Sequence, residues 1–302
     1  MAAMSTDPPV VLHFPDQHEA AARFAAALGV RCAEIASRRF PDGESLVRLP
    51  LPLPERVLLF CSLGRPNERL VELLLATRTA RQHGAAQLTL IAPYLCYMRQ
   101  DAAFSPGEAI SQTIVGGWLA DLVDAVVTVD PHLHRIARLE QAVPIARAVA
   151  LSAAPALGAF IASAVPHAVI VGPDEESAQW AEPVARQAQR PFAVFAKERR
   201  GDRDVVVRAA GEAPIAGRPV VLVDDIASSG RTLGDAARVC QELGARSVDA
   251  LVTHALCVGD DLEALHAAGI GHLWSTDALP HPGNRVRLAA LLAQGCRDHG
   301  LA

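Results

Sequence analysis

An α/β fold built as two mainly parallel sheets flanked by helices is predicted by three observations. Short runs of Val, Ile, Leu and Ala without polar alternation, at residues 10–14, 57–61, 125–129 and 220–223, read as strands covered on both faces. Segments of helical periodicity separate them, the order expected of a parallel sheet with crossover helices. The chain has 302 residues, more than one ordinary core, so two domains of about 150 residues each are expected. The boundary is placed within residues 143–150, where strand and helix alternation starts again, which gives domains of 1–147 and 148–302.

Taken in order, residues 10–14 form a first strand, and residues 17–28 a helix with apolar positions Ala21, Phe24, Ala25 and Leu28, closed by Gly29. Pro41-Asp42-Gly43 forces a turn, and the residues after it alternate as in a hairpin. A strand at 57–61, a helix at 67–83 ended by Gly84, and a strand at 88–92 follow. Residues 93–111 read as an irregular loop of a length usually kept for function, and they hold both tyrosines of the chain. Within it Arg99 suits a base face or a phosphate, and Gln100 offers a donor and an acceptor to an adenine edge. Helix resumes at 110–122 and strand at 125–129. At that strand end, Asp130-Pro131-His132 has the donor types to hold a divalent cation, though a lone histidine is as often a packed group.

In the second half, a strand at 168–171 runs into Gly172-Pro173-Asp174-Glu175-Glu176-Ser177, where acids in a first helical turn are also ordinary dipole partners. A strand at 192–196 gives way to a charged loop from Lys197 to Arg203, and strand returns at 205–208. One more strand is expected at 248–254 and a last helix at 285–292. That last helix is the one element of the second domain that could pack back on the first.

Residues 219–232 organise the rest. The apolar strand ends in Asp224 and Asp225, and Ser228, Ser229, Gly230, Arg231 and Thr232 lead into a helical pattern at 233–243. Hydroxyls and backbone N–H groups at a helix N-terminus favour an anion. The two carboxylates stand where they would accept hydrogen bonds from vicinal hydroxyls of a ribose whose 5-phosphate sits in that cradle.

Composition narrows the class. Hydrophobic residues make up 51% and charged residues 20%, yet no apolar run reaches the roughly 18 residues needed to span a bilayer, so no membrane partner is expected. The first residues have neither a basic nor an apolar leader segment, which points to the cytoplasm. Six cysteines without a C-x-x-C pair suggest reduced, packed thiols rather than a zinc site. A net charge of −5 with no basic tract gives no case for nucleic acid. Of 28 basic residues only Lys197 is a lysine. A chain that otherwise uses arginine keeps a compact ammonium there, and the two cations differ around a reacting phosphate.

The motifs Phe40-Pro41-Asp42-Gly43-Glu44, the run 67–74, Tyr97-Met98-Arg99-Gln100-Asp101, Asp130-Pro131-His132, Gly172-Pro173-Asp174, Lys197-x-Arg199 and Val223-Asp224-Asp225 stand in an order and spacing that resemble the ribose-phosphate pyrophosphokinase (phosphoribosyl-pyrophosphate synthetase) family over most of the chain. The resemblance implies two phosphoribosyltransferase-like domains, the first on the ATP side and the second on the ribose 5-phosphate side. It implies pyrophosphoryl transfer from Mg-ATP to the 1-hydroxyl of ribose 5-phosphate. Phe40, Asp42, Gly43 and Glu44 would approach the ATP of a neighbouring subunit, so a homo-oligomer of at least two chains is expected. Arg99, Gln100 and Asp101 would hold ATP, His132 and Asp174 would carry Mg2+, and Lys197 and Arg199 would be the catalytic pair. Arg199, Asp224, Asp225, Ser228, Ser229, Gly230, Arg231 and Thr232 would hold ribose 5-phosphate. The absence of a G-x-x-x-x-G-K-S/T sequence agrees with ATP held between motifs rather than by a Walker loop.

Three departures stand out. Ala102-Ala103 follows Asp101 where basic residues are common, Glu175-Glu176-Ser177 replaces x-Gly-Gly after Asp174, and Ser228 stands where Asp is frequent in bacterial members. The loops look closer to archaeal-type members. The added acids keep a second reading open, a non-catalytic regulatory homologue, and the shared cradle keeps a third, a phosphoribosyltransferase.

Overall fold

The computed structural model describes residues 7–199, 205–210 and 214–302, and within 196–199 and 205–210 the backbone alone. The chain divides into two units, Met1–Leu151 with Leu288–Ala302, and Ser152–Arg287.

The first unit starts with β1 (Val10–His13), α1 (His18–Leu28) and β2 (Arg31–Glu34). The alanine-rich α1 buries Ala21, Phe24 and Ala25, and Gly29 ends it in the left-handed conformation, its N–H reaching the Ala25 and Ala26 carbonyls. β3 (Ala36–Arg39) and β4 (Ser45–Arg48) pair antiparallel as a separate hairpin. Then come β5 (Arg56–Phe60), α2 (Pro66–Gln82), β6 (Gln87–Ala92), α3 (Ser111–Ala120), β7 (Ala125–Val129) and β8 (Ala148–Leu151). The six-stranded sheet has the order β2-β1-β5-β6-β7-β8, with every pair parallel. The chain builds outward from β1 to β2 on one side and from β5 to β8 on the other, so its switch point lies between β1 and β5.

The second unit holds α4 (Ala154–Ala164), β9 (Val169–Gly172), α5 (Ala178–Ala188), β10 (Phe192–Arg199), β11 (Val205–Ala210), β12 (Pro219–Ala227), α6 (Arg231–Glu242), β13 (Ser247–Ala255), α7 (Asp260–Ala267), β14 (Ile270–Thr276) and β15 (Asn284–Val286). Its order is β11-β10-β9-β12-β13-β14-β15, parallel except for β10 against β11. Here the switch point falls between β9 and β12. Val169, Ile170 and Val171 of β9 and Val220, Val221, Leu222 and Val223 of β12 are wholly buried, each such side chain contributing about 1.5–3 kcal/mol. The chain then returns to the first unit through α8 (Ala289–Asp298), which packs on α1. The Arg297 guanidinium donates to the Ala27 carbonyl, and a Cβ at Gly295 would stand 2.6 Å from Leu151 Cδ1.

Three expectations change. The boundary falls after Leu151, because residues 148–151 form the edge strand of the first sheet; residues 288–302 join that unit, the packing open to the last helix. The segment 285–292 is not one helix: Asn284 and Val286 extend the second sheet, Asn284 accepting from Ser275 Oγ and donating to the Leu279 carbonyl, and helix begins at Ala289. The charged loop expected at Lys197 continues instead as strand through Arg199, since Val205, Val206 and Val207 supply an antiparallel partner. Residues 200–204 lie outside the described residues. Among the described residues no helix is long and apolar enough to cross a membrane. The six cysteines are free, and burial pushes the thiols of Cys96, Cys240 and Cys296 up to about 12, far from metal-binding thiolates.

Candidate active site

In the second unit the chemistry collects at the carboxyl ends of β9 and β12, where open α/β sheets bind ligands. Strand β12 runs past the carboxylates to Ala227, and its pleat sends alternate residues to opposite faces. Asp225 is 1% exposed, whereas Asp224 and Ile226 face the accessible side. The two carboxylates expected to share a ribose therefore part company, and Asp224 is the one presented outward. Its oxygen Oδ1 accepts from the Asp225 N–H at 2.9 Å. Burial first, then the negative charges of Asp225 and Asp174, push the Asp224 carboxyl up to about 9. A site in which acids repel one another is set up to receive cations and hydrogen-bond donors.

Asp174 follows β9 directly in a closed turn. Its Oδ1 accepts from the Ser177 N–H at 3.0 Å, and the Ser177 hydroxyl donates back to the Asp174 carbonyl at 2.5 Å. Gly172 makes room for that ring, because a Cβ there would lie 2.5 Å from Ser177 Oγ. Glu175 and Glu176 are exposed on the turn.

Beyond β12, Ser228 is half-buried and Ser229, Arg231 and Thr232 are exposed. Gly230 caps α6 with φ of 72° and no side chain closes the helix end, so the first N–H groups of α6 are left for another acceptor. Only glycine fits: a Cβ would meet Leu265 at 2.8 Å in a backbone conformation that other residues resist.

The remaining motifs belong to the first unit, apart from Lys197 and Arg199. The turn 40–44 joins β3 to β4. Phe40 N–H donates to the Glu44 carbonyl, Glu44 N–H to Asp42, and Gly43 takes a φ of 95°. The Arg38 guanidinium lies 4.7 Å from the centre of the Phe40 ring. Arg99 is exposed on the loop after β6, and Gln100 donates to the Ala102 carbonyl. Asp101 is not open: its side chain is 5% exposed and accepts from Arg135 at 3.2 Å, with His134 at 3.7 Å. His132 is half-buried after β7. Two non-glycine residues of these motifs, Tyr97 and Asp130, have positive φ of 61° and 38°, a cost that clusters at functional sites. Lys197 and Arg199 stand on β10 opposite Val207 and Val205, and their side chains lie outside the described residues.

The structure thus brings together Asp174, Asp224 and the cradle 228–232. Sequence reasoning missed the facing of Asp174 toward Asp224, because no spacing relates residues fifty positions apart. It also gave no role to Arg135 and Ser177.

A mainly parallel sheet whose switch point carries acids beside an uncapped helix end is the architecture of a phosphoribosyltransferase-type α/β protein. Comparison with known proteins agrees. Residues 10–122 match the N-terminal domain of ribose phosphate pyrophosphokinase, and residues 145–261 match the phosphoribosyl transferase domain. The chain is similar to ribose-phosphate pyrophosphokinase of Methanopyrus kandleri, 34% identical over 91% of this chain and 94% of the relative. It is also similar to that of Saccharolobus solfataricus, 33% identical over 83% and 87%. The crystal structure of phosphoribosylpyrophosphate synthetase from Mycobacterium smegmatis superposes with a TM-score of 0.81 at 25% identity, over 97% of this chain and 99% of that one. The chain belongs to the ribose-phosphate pyrophosphokinase family and is an enzyme, with archaeal relatives as its loops suggest.

Proposed function

We propose that the protein transfers the pyrophosphoryl group of ATP to the 1-hydroxyl of ribose 5-phosphate, giving 5-phosphoribosyl 1-diphosphate and AMP. The observation that carries this reading is the acid-lined switch point of β9 and β12 opening onto the uncapped, glycine-floored start of α6. In this reading the 5-phosphate accepts hydrogen bonds from Ser228, Ser229 and Thr232 hydroxyls and from the N–H groups around Gly230 and Arg231. Asp224 takes a ribose hydroxyl and fixes the ring, its Oδ1 held by the Asp225 N–H. The 1-oxygen forms a bond to the β-phosphorus of ATP as the bond from β-phosphorus to the α,β-bridging oxygen breaks, AMP leaves with that oxygen, and the hydroxyl proton passes to solvent. Such transfer asks little covalent chemistry of a protein, so alignment and charge neutralisation dominate.

Lys197 and Arg199 supply positive charge over the phosphates, and Phe40, Asp42, Gly43, Glu44, Arg99 and Gln100 hold the nucleotide. Asp101 acts on ATP through its hold on Arg135. The oxygen donors at Asp174 suit a hard divalent cation. Asp174 in the second unit and His132 in the first are the residues that would carry Mg2+, which would supply charge neutralisation at the phosphates. The turn 40–44 serves a neighbouring subunit in a homo-oligomer. The cytoplasm is the place of action this substrate pair implies.

Phosphorus NMR of the purified protein with Mg-ATP and ribose 5-phosphate tests the reaction. AMP and a diphosphorylated ribose are expected, and ADP with a ribose bisphosphate would remove the reading.

A further inference from the structure

At the carboxyl end of β1, outside every residue used above, His13, His18 and Glu34 each bring one donor atom into a group within 4.8 Å of one another. His13 is 1% exposed, while His18 and Glu34 open to solvent. His13 Nδ1 lies 2.9 Å from the Phe14 carbonyl, an acceptor that keeps the proton on Nδ1 and leaves the lone pair on Nε2. That is the outer hydrogen bond that orients a metal-bound imidazole. His13 Nε2 and His18 Nδ1 stand 3.3 Å apart, and two nitrogens on a tetrahedral zinc at about 2.05 Å are separated by about 3.3 Å.

The frame is fixed by the backbone. His13 pairs with Glu34 in the β1–β2 register, the Ile35 N–H donates to the His13 carbonyl at 2.8 Å, and His18 opens α1. Glu34, exposed at its strand end, is the ligand free to move in.

We propose that His13, His18 and Glu34 form a binding site for a divalent first-row transition metal of the zinc class, with water completing the coordination. Two imidazoles and one carboxylate select such ions over magnesium, which prefers oxygen. The ion would tie the start of α1 to the end of β2, one residue before the hairpin that carries Phe40 to Glu44.

The test is titration of chelator-treated full-length protein with zinc by calorimetry, and with cobalt(II) by visible absorption, in a large excess of Mg2+. One ion per chain is expected, with cobalt bands of a low-coordinate nitrogen and oxygen site. His18→Ala and Glu34→Gln change exposed side chains, and circular dichroism checks that both variants stay folded. His18→Ala should weaken binding more than about 100-fold, beyond the loss of an outer hydrogen bond, and Glu34→Gln about tenfold or more. No binding by the wild type would reduce the histidines to a hydrogen-bonded pair. Unchanged affinity in either variant would overturn the site as drawn.

Discussion

The two sheets repeat one plan and part at their switch points. Between β1 and β5 the crevice is filled from within: Gln17 is buried, donates to the Ser62 carbonyl at 2.9 Å and accepts from the Ser62 N–H at 2.7 Å. Arg69 lies over the Phe14 ring and pairs with Asp16. Between β9 and β12, burial and the charges of Asp225 and Asp174 instead raise the Asp224 carboxyl, and no side chain closes α6. In the first unit, acids find arginines, as with Asp101 and Arg135 or Asp124 and Arg81. The fold supplies the crevice and the side chains at its lip decide whether it binds.

The strongest test of the contrast is to remove the cation proposed to serve the open crevice. Lys197→Ala should cost on the order of 10²–10³ in kcat with ATP and ribose 5-phosphate still bound, as read by steady-state AMP formation beside equilibrium binding. A loss of binding with intact turnover would place Lys197 elsewhere. Asp224→Asn should fall nearly as far in activity while raising the melting temperature of the ligand-free protein by a few degrees, the shift that about 1 kcal/mol makes in a chain of this size. A lower melting temperature would mean that Asp224 is a structural partner.

That carboxyl also sets a pH trend. Its folded-state value is raised to about 9, so the folded chain holds a proton that the unfolded chain releases. This contribution to stability is complete below the ordinary carboxylate range, about pH 4, and drains away as pH rises toward 9. Urea melts across that window should show wild-type stability falling with pH more steeply than Asp224→Asn. Parallel slopes would contradict the assignment.

Smaller effects sharpen the comparison. Gly230→Ala should destabilise by roughly 1–3 kcal/mol and raise KM for ribose 5-phosphate, because it meets Leu265 and resists the backbone angle. Gln17→Ala should cost a similar 1–3 kcal/mol through the loss of its two bonds to the Ser62 backbone and leave that KM unmoved. Were the ribose 5-phosphate KM to shift with Gln17, the first crevice would be more than packing.

Much of this was legible in sequence because it is local. The buried runs announced β1, β5, β7, β9 and the core of β12, and Gly29 marked the end of α1 as its geometry requires. Asp224-Asp225 beside Ser228 to Thr232 located the cradle. What escaped is relational. Arg31–Glu34 carries no buried side chain and pairs as an edge strand only because β1 is beside it. The charges of Lys197 to Arg199 hid a strand that its partner completes. Neither the approach of Asp174 to Asp224 nor the meeting of His13, His18 and Glu34 follows from spacing, since strand order brings them together.

The return of α8 to α1 has a consequence in time. A ribosome makes residues 288–302 after the whole of the second unit. Until then the first unit lacks a helix that Ala27, Leu151 and the flank of α1 await. Its completion therefore waits on the second unit, and a nascent chain stalled before Ala289 would carry an exposed apolar flank for chaperones to find.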